Sequence, residues 1–404
     1  MIQISNRIKA MAQSATMAMT QKSAELRAQG VDVITMSVGE PDFNTPDFVK
    51  EAAKKAIDEN YSKYSPAPGY LSTREAICRK LEKENGLHYT AAQIVVGNGA
   101  KQELCNAVLS IVNPGDEVII PMPAWVSYVE MVRLAEGKVV EVWAGVEQDF
   151  KITPEQLEAA ITPKSRMIIL NNPSNPTGSV YSEEELKGLA AVLAKYPDIV
   201  ILADDIYEHI NFLPARIHSI AECPEVFDRT VVINGVSKAY AMTGWRIGYL
   251  AAPIEVAKAV SKLQGQYTSG PSSIAQKAAE AALDGPQEFR YEMRKAFERR
   301  RDLIVELAKE IPGWIVNKPE GAFYLFPEVS AYVGTVTPSG KKIENSGDYT
   351  MYILEEAHVA CVDGAAFGAP GYMRLSYATS DDKIREAMRR IKEASALLMH
   401  NTNS

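Results

Sequence analysis

Short apolar runs rich in valine and isoleucine alternate with amphipathic stretches between residues 31 and 252. Runs of this length and composition predict buried strands, and the stretches between them predict helices. The runs are nearly continuous in apolar residues, which is typical of parallel strands covered on both faces. Strands alternating with helices predict βαβ units and a largely parallel sheet. The predicted strands are 31–38, 94–96, 117–121, 138–142, 166–170, 199–203, 231–233 and 247–252.

Helix signals fill the gaps between these runs and dominate the last third of the chain. Thr153 with Gln156, and Ser182 with Glu185, have the spacing of capping boxes, so each pair predicts a helix start. After Ser272 the chain is predicted to be helical through about residue 310. The other predicted helices are 20–29, 47–59, 72–85, 97–112, 125–135 and 382–399.

The last third of the chain also predicts a second, smaller unit. Short strands within 314–330 and 360–378 are grouped away from the alternating region, which favours a separate α+β domain. We expect an N-terminal arm with a small-domain segment at 1–45, a large domain at 46–288 and a small C-terminal domain at 289–404. Five basic residues are expected to form a solvent-exposed helix face: Arg294, Lys295, Arg299, Arg300 and Arg301.

Composition narrows the function classes. The 404 residues include 43 Lys and Arg against 51 Asp and Glu, a net charge of −8, which argues against a nucleic-acid or anionic-membrane surface. The sequence has no apolar run of about 18 residues, so we expect no membrane span. Four widely spaced cysteines without a CxxC pair favour a reducing cytoplasm, and no metal site is expected. Acids are absent before Glu25, as in a transit peptide, but this stretch continues directly into folded-looking sequence.

Chemically distinctive residues follow several predicted strands. Ligands of open α/β sheets bind beyond the carboxyl ends of the strands. Gly99-Ala100-Lys101 open a helix there, which favours an anion site. Asn175, Asp204 with Tyr207, and Ser237-Lys238 follow other strands. A lysine, a carboxylate and an anion cradle match pyridoxal phosphate, which needs an amine for its aldehyde, an acid for its ring nitrogen and donors for its phosphate.

The sequence also resembles a known family through six motifs. They are SKAYAMTGWRIGYL, NNPSNPTG, ADDIYEH, GNGAKQ, PAWVSY and SVGEPDFNTP. In the order and spacing that these motifs have along the chain, they resemble the class I aminotransferases of pyridoxal-phosphate fold type I, over essentially the whole chain. SAT at 14–16 and GAK at 99–101 are similar to the bacterial-type aspartate aminotransferase subgroup. The resemblance implies a large cofactor-binding domain with a mostly parallel seven-stranded sheet between helices, and a smaller α+β domain.

The resemblance implies catalytic and cofactor-binding roles. Lys238 would form the Schiff base with the cofactor and then move the proton. Asp204 would keep the ring nitrogen protonated, Tyr207 and Asn175 would hydrogen-bond the ring oxygen, and Trp125 would stack on the ring. The implied phosphate cradle is Gly99, Ala100, Ser237 and Arg246, with Lys101 beside it. Tyr64 would reach the phosphate of a neighbouring subunit, which implies a homodimer with shared active sites.

Substrate recognition is implied in the same way. Arg374 would clamp the substrate α-carboxylate, helped by the Gly39 backbone, Asn175 and Trp125. Lys101, with Thr16 nearby, would hold the distal carboxylate, which favours aspartate and glutamate. The other interpretations are that Arg374 is a structural ion-pair partner, Trp125 a core residue, or Lys101 a lysine without a substrate role. Asp363 departs from the proline that the family commonly has before Gly364, which leaves the details of lid closure open.

The resulting hypothesis is a ping-pong aminotransferase in the cytoplasm. It would convert L-aspartate and 2-oxoglutarate to oxaloacetate and L-glutamate. A prephenate, aromatic or alanine-type aminotransferase is the first alternative, and a β-lyase on the same fold is the second. A ligand-binding regulatory protein is a third, although the sequence has no helix-turn-helix extension.

Overall fold

The computed structural model describes residues 2–12 and 15–400, without the side chains of residues 15–18, 20, 399 and 400. The strands in chain order are β1 Ile34–Thr35, β2 Ile94–Gly97, β3 Glu117–Met122, β4 Lys138–Trp143, β5 Ser165–Asn171, β6 Val200–Asp204, β7 Thr230–Gly235, β8 Gly248–Ala251, β9 Tyr324–Leu325, β10 Val359–Ala360, β11 Val362–Asp363 and β12 Met373–Ser376. The helices are α1 Asn6–Lys9, α2 Ala15–Ala28, α3 Asp47–Asp58, α4 Leu71–Lys80, α5 Ala100–Ile111, α6 Val126–Leu134, α7 Pro154–Ala160, α8 Glu183–Leu193, α9 Pro224–Phe227, α10 Ile254–Tyr267, α11 Ser273–Asp284, α12 Glu288–Lys309, α13 Ser346–Ala357 and α14 Asp381–His400.

Seven of the described strands form one sheet in the order β2-β8-β7-β6-β5-β3-β4. β8 runs antiparallel to β2 and β7, and the other neighbours are parallel. The predicted seven-stranded, mostly parallel sheet is therefore confirmed. At the carboxyl ends of the central strands, Asn171 is paired with Asp204. Polar side chains that end adjacent strands thus lie next to each other, as parallel pairing requires.

Successive side chains of a strand point to opposite faces of the sheet, and here both faces are apolar. Helices therefore cover both faces. On one face, sheet residues such as Val118 and Leu202 pack with α5, α6 and α10. On the other, Ile94 packs with α3, α4 and α11, while Ile119 packs with α7 and α8. Both capping boxes predicted from the sequence form, at the starts of α7 and α8. None of the described helices is long and apolar enough to cross a membrane.

The remaining strands form two small sheets in the described chain. β1 pairs in parallel with β10, and β11, β12 and β9 form an antiparallel sheet in that order. Side chains of β1, β9, β10 and β12 share one core with α12, α13 and α14, and Tyr207 from the larger unit packs into the same core. The predicted smaller α+β unit is thus present. The boundaries at residues 45/46 and 288/289 stay a prediction.

Four elements differ from the sequence prediction in the described structure. The helix predicted from 272 to 310 is two helices, because Pro286 lacks a backbone N–H and the Gln287 side chain binds the carbonyls of Ala282 and Gly285. The strand predicted at 31–38 pairs over β1 alone, and the rest is extended loop. The helices α10 and α13 were not predicted.

The prediction of a solvent-exposed basic face on α12 is wrong for two of its arginines. Arg300 and Arg301 are buried, whereas Lys295 and Arg299 are exposed. Arg300 forms a two-point ion pair with Asp42. Arg301 donates to the main-chain oxygen of Pro319 and to the Asp302 carboxylate. Helical spacing alone does not distinguish these arginines from exposed ones, because Asp42 and Pro319, which contact them, lie outside α12.

Truncating a side chain at the centre of the large sheet should destabilise the fold. Ile168 on β5 is 0% exposed, so Ile168→Ala removes packed methyl groups and is expected to lower the free energy of unfolding by roughly 2–5 kcal/mol. Ile315→Ala is the matched control, because Ile315 is 54% exposed. Urea denaturation monitored by circular dichroism measures both. Equal shifts in the two variants would contradict this account of the core.

Candidate active site

A cleft of about 390 Å³ opens beyond the carboxyl ends of the sheet strands. The loops after β2, β3, β5, β6 and β7 supply most of its lining, and β9, β12 and the loop after β1 close it from the smaller unit. This is the position at which open α/β sheets bind ligands. The lining residues are Gly39, Ala100, Lys101, Trp125, Ser127, Tyr128, Asn171, Asn175, Asp204, Ile206, Tyr207, Ser237, Lys238, Arg246, Tyr324 and Arg374.

Lys238 lies in the loop after β7, and its ammonium is held by the main chain. Nζ donates to the carbonyl oxygen of Gly39 at 2.5 Å and lies 5.7 Å from the centre of the Tyr207 ring. The pKa of Lys238 is lowered to about 8, chiefly by burial. The carboxylate of Glu40 opposes this shift, and the positive charges of Arg374 and Arg246 contribute to it. A lysine with such a pKa is neutral in a substantial fraction of molecules near neutral pH, as a nucleophile or base requires.

Asp204 ends β6 and is almost completely buried. Burial raises its pKa to about 6, and the hydrogen bond from Tyr128 acts in the opposite direction. The Tyr128 hydroxyl donates to Oδ2 at 2.6 Å, and the Ile206 amide donates to Oδ1 at 3.3 Å. These two donors fix the carboxylate at the base of the cleft.

Two phenols that line the cleft contact each other. The hydroxyls of Tyr207 and Tyr324 are 2.8 Å apart, and both residues are buried. Burial, together with the neighbouring Tyr324, raises the pKa of Tyr207 well above its usual range, so its hydroxyl keeps its proton and can donate. A Cβ at Gly39 would lie 2.6 Å from the Tyr324 hydroxyl, so this approach requires glycine at position 39.

Arg374 is a buried guanidinium, and no carboxylate among the described residues forms a hydrogen bond with it. It lies on β12, donates from Nη1 to Asn175 Oδ1 at 2.9 Å and donates from Nη2 to the Ser37 carbonyl at 2.8 Å. Its Nε is buried and has no partner in the described structure. Its charge lies 4.5 Å from the Tyr324 ring centre. Burial lowers the pKa of Arg374, but guanidinium stays charged at neutral pH, so this site favours an anion.

The start of α5 and Arg246 form a second place for an anion. α5 begins at Ala100, so its free N–H groups and positive dipole end lie at the cleft. Arg246 donates to the carbonyls of Thr243 and Asn98 at 2.8 and 3.1 Å. A Cβ at Gly99 would lie 2.4 Å from Arg246 Nη2, and Gly99 has φ +87°, so a side chain there would close the cradle.

Lys101 and Trp125 lie together at the mouth of the cleft. Lys101 Nζ is 4.7 Å from the centre of the Trp125 ring. Partial burial and the charge of Arg246 lower the pKa of Lys101. Trp125 also contacts Tyr128 edge to face, with ring centres 5.4 Å apart. The indole is therefore fixed between a cation at the mouth and the phenol that binds Asp204.

A family profile and close relatives identify the chain. The profile of the aminotransferase class I and II family matches residues 31–391. The chain belongs to this family. It is 52% identical to an aspartate/prephenate aminotransferase of Cereibacter sphaeroides, over 94% of this chain and 95% of that protein. It is 48% identical to an aspartate/prephenate aminotransferase of Nitrosomonas europaea, over 96% and 99%.

Solved structures give the same result for this aminotransferase. An aspartate aminotransferase from Rhizobium meliloti is 45% identical, has a TM-score of 0.95, and is matched over 98% of this chain and 100% of that one. The aspartate aminotransferase of Thermus thermophilus with maleate is 41% identical, with a TM-score of 0.91 and the same two coverages. The fold type I architecture expected from the sequence motifs is confirmed.

The aminotransferase places most of the sequence-predicted site residues around one cleft. Two predicted residues do not line it in the described structure: Gly99 lies against Arg246 behind the lining, and Tyr64 is 97% exposed. The side chain of Thr16, on α2, lies outside the described residues. Asp363 accepts hydrogen bonds from Ser346 Oγ at 2.6 Å and the Ala365 amide at 3.2 Å, so it joins α13 to the turn at 364–367.

Sequence reasoning missed five lining residues: Ser127, Tyr128, Asn171, Ile206 and Tyr324. For one of them, the local sequence contained a pattern that could have indicated its place in the site. Tyr128 follows Trp125 by three positions at the start of a helix, and residues at this spacing share a helix face. No local pattern indicated Tyr324, because it lies on a strand of the smaller unit, far along the chain from the other lining residues.

One carboxylate–histidine group of the aminotransferase lies outside the cleft. Ligand atoms of Glu84, Glu208 and His209 are within 4.8 Å of one another. Arg290 donates to both Glu84 oxygens, and Lys80 binds Glu208. The two cations balance the two carboxylates, so this group is a partly buried ion-pair network.

Removing the Tyr128 hydroxyl should raise the pKa of Asp204. The hydrogen bond from this phenol favours the ionised carboxylate, so in Tyr128→Phe the pKa is expected to lie above the value of about 6. Tyr324→Phe is the control, because it removes a buried hydroxyl that does not contact Asp204. A ¹³C-carboxyl NMR titration of the cofactor-free protein measures the pKa, with Asp204→Asn to assign the resonance. An unchanged or lowered pKa in Tyr128→Phe would refute the assignment.

Proposed function

We propose that this aminotransferase uses pyridoxal phosphate to exchange an amino group between L-aspartate and 2-oxoglutarate. The main support for this proposal is the positive charge of the cleft. Among the described residues that line it, four are cations and one is a carboxylate, in a chain with a net charge of −8. The cations are Lys101, Lys238, Arg246 and Arg374. Lys238, Arg246 and Arg374 donate to carbonyl and amide oxygens, so their charges are available to anionic ligands.

The donor set fits the cofactor. Lys238 supplies the amine for its aldehyde, Asp204 the acid for its ring nitrogen, and Tyr207 with Asn175 the donors for its ring oxygen. Arg246, Ser237, and the Gly99–Ala100 turn with Lys101 beside it supply the phosphate site. When bound, the cofactor supplies an aldehyde and a ring that withdraws electrons from the substrate α-carbon. Trp125 provides an aromatic face on which that ring can stack.

Lys238 moves the proton in this proposal. Its pKa of about 8 makes the neutral amine accessible near neutral pH, so Nζ can accept the proton from the substrate α-carbon. The Gly39 carbonyl, which accepts from Nζ, holds the amine in the cleft. Asp204 keeps a proton at the ring nitrogen, and the Tyr128 hydrogen bond orients its carboxylate for this task.

Arg374 is proposed to bind the substrate α-carboxylate. A guanidinium can donate two parallel hydrogen bonds to a carboxylate, and Arg374 has a buried Nε without a partner in the described structure. Asn175 accepts from Nη1, so the amide fixes the plane of the guanidinium. A carboxylate bound here would also neutralise a buried charge.

Lys101 is proposed to bind the second carboxylate of a dicarboxylic substrate, with Thr16 beside it. Lys101 lies at the mouth of the cleft against Trp125, whereas Arg374 is buried. Two cations at different depths favour substrates with two carboxylates. Prephenate is a second candidate acceptor, because it is a 2-oxoacid with a second carboxylate and because two relatives are named aspartate/prephenate aminotransferases.

A homodimer and a cytoplasmic location complete the proposal. Tyr64 is 97% exposed, so its phenol is free to reach the phosphate site of a second copy. Free cysteines at 78, 105, 223 and 361 fit a reducing compartment. The domain division at 45/46 and 288/289 is part of the proposal, supported by α3 to α11 around the large sheet and α12 to α14 around the small ones.

Adding amino acids one at a time to the cofactor-loaded protein tests the proposal directly. Aspartate and glutamate should change the cofactor absorbance, and 2-oxoglutarate should restore it. Adding prephenate in place of 2-oxoglutarate tests whether prephenate is also an amino-group acceptor. Strong turnover of aromatic amino acids with negligible turnover of aspartate would refute the substrate assignment.

Lys238→Ala should keep the cofactor but lose catalysis. Arg246, Asp204 and the start of α5 remain to bind the cofactor, whereas the base at the α-carbon is gone. The rate is expected to fall by at least about 100-fold. Absorbance after dialysis measures cofactor retention, and a coupled assay measures turnover. Lys258→Ala, at an exposed lysine on α10, is the control. Normal turnover in Lys238→Ala would refute the mechanism.

Lys101→Met should change specificity more than general activity. Losing the cation removes a charge-assisted contact with the distal carboxylate, so kcat/KM for aspartate should fall by about 10- to 100-fold. Alanine lacks that carboxylate, and its kcat/KM should change little. Steady-state kinetics with both substrates measures the difference. Equal losses for the two amino acids would show that Lys101 does not select the distal carboxylate.

A further inference from the structure

The segment 37–45 links β1 to α3 and contributes two main-chain oxygens to the cleft. The Ser37 carbonyl accepts from Arg374 at 2.8 Å, and the Gly39 carbonyl accepts from Lys238 at 2.5 Å. Residues 36–46 belong to neither helix nor strand. The positions of both carbonyls therefore depend on contacts that the segment makes elsewhere.

One end of segment 37–45 is attached to the loop that follows Lys238. Thr243 Oγ1 donates to Glu40 at 2.8 Å, and Thr45 Oγ1 donates to the Ala241 carbonyl at 2.8 Å. The Trp245 indole donates to Thr45 Oγ1 at 3.0 Å. These contacts hold the segment to the large sheet.

Arg300 attaches the middle of the segment to α12. Its Nη1 and Nη2 donate to the two oxygens of Asp42 at 2.8 and 3.0 Å. Its guanidinium also lies 5.3 Å from the Phe43 ring centre and 5.6 Å from the Phe297 ring centre. The Arg300 side chain is 9% exposed and the Asp42 side chain 31% exposed, so the arginine end of the pair is buried and the carboxylate end is partly open to solvent.

We propose that Arg300 is a positioning residue for substrate binding. By holding Asp42 and Phe43, it keeps the Ser37 and Gly39 carbonyls where they bind Arg374 and Lys238. The proposal rests on the proposed function, in which Arg374 binds the α-carboxylate. A displacement of about 1 Å at such a site is enough to lower activity substantially.

Arg299 offers a matched control on the same helix. It forms a two-point ion pair with Asp381 at 2.8 and 2.9 Å, and Arg300 Nε lies 3.6 Å from that carboxylate. Arg299 is exposed, and its ion pair is with α14 rather than with segment 37–45. Replacing Arg299 therefore shows the effect of losing a cation from this part of α12 while the contact between Arg300 and Asp42 is kept.

The test compares Arg300→Met, Arg300→Lys and Arg299→Met. In the cofactor-free proteins, hydrogen exchange of peptides covering 37–45 should become faster in Arg300→Met and remain unchanged in Arg299→Met. In the cofactor-loaded enzymes, calorimetry with maleate should show about tenfold weaker binding for Arg300→Met, and KM for aspartate should rise more than kcat falls. Arg300→Lys should be intermediate, because lysine keeps the charge but not the two-point geometry.

Two results would overturn the proposal. One is unchanged exchange and unchanged maleate affinity in Arg300→Met. The other is an equal effect of Arg299→Met, which would indicate general destabilisation of α12. A wild-type enzyme that neither binds maleate nor turns over aspartate would refute the proposed function instead, while the exchange comparison would still report on Arg300.

Discussion

Two cations of the cleft, Lys238 and Arg374, are held by main-chain carbonyl oxygens. Gly39 and Ser37 accept their hydrogen bonds, and these carbonyls lie two residues apart on one extended segment. A carbonyl dipole orients a cation without neutralising it, so the charge remains unbalanced. The positions of the amine and the guanidinium relative to each other therefore depend on the path of that segment.

The parallel sheet supplies the other half of the arrangement. Because its central strands end at the same edge, Asn171 and Asp204 are neighbours, and Lys238 follows the next strand. The buried carboxylate and the amine are thus fixed by strand pairing. Arg374 comes from the smaller unit and depends on how that unit packs against the sheet, where Tyr207 and Tyr324 share a hydrogen bond. The part of the cleft that strand pairing positions is therefore distinct from the part that packing between the two units positions.

The sequence predicted the parts of the site that local pattern determines. Asp204 and Lys238 follow apolar runs, and parallel strands bring such positions together. Tyr324 could not be predicted in this way, because its place depends on a distant packing contact. Arg300 was wrongly predicted to be exposed for the same reason: its partner Asp42 is 258 residues away. Helix periodicity specifies which side of a helix a residue occupies, but not what covers that side.

The partners of the arginines distinguish their roles. Arg300 binds a carboxylate through two hydrogen bonds, so its charge is balanced within the fold and it can act as an anchor. Arg374 binds an amide oxygen and a carbonyl, and Arg246 binds two carbonyls. Burying a charge without an opposite charge is costly, and an anionic ligand offsets part of that cost at Arg374. The same side chain thus stabilises the fold where a carboxylate faces it and is available to ligands where only neutral oxygens do.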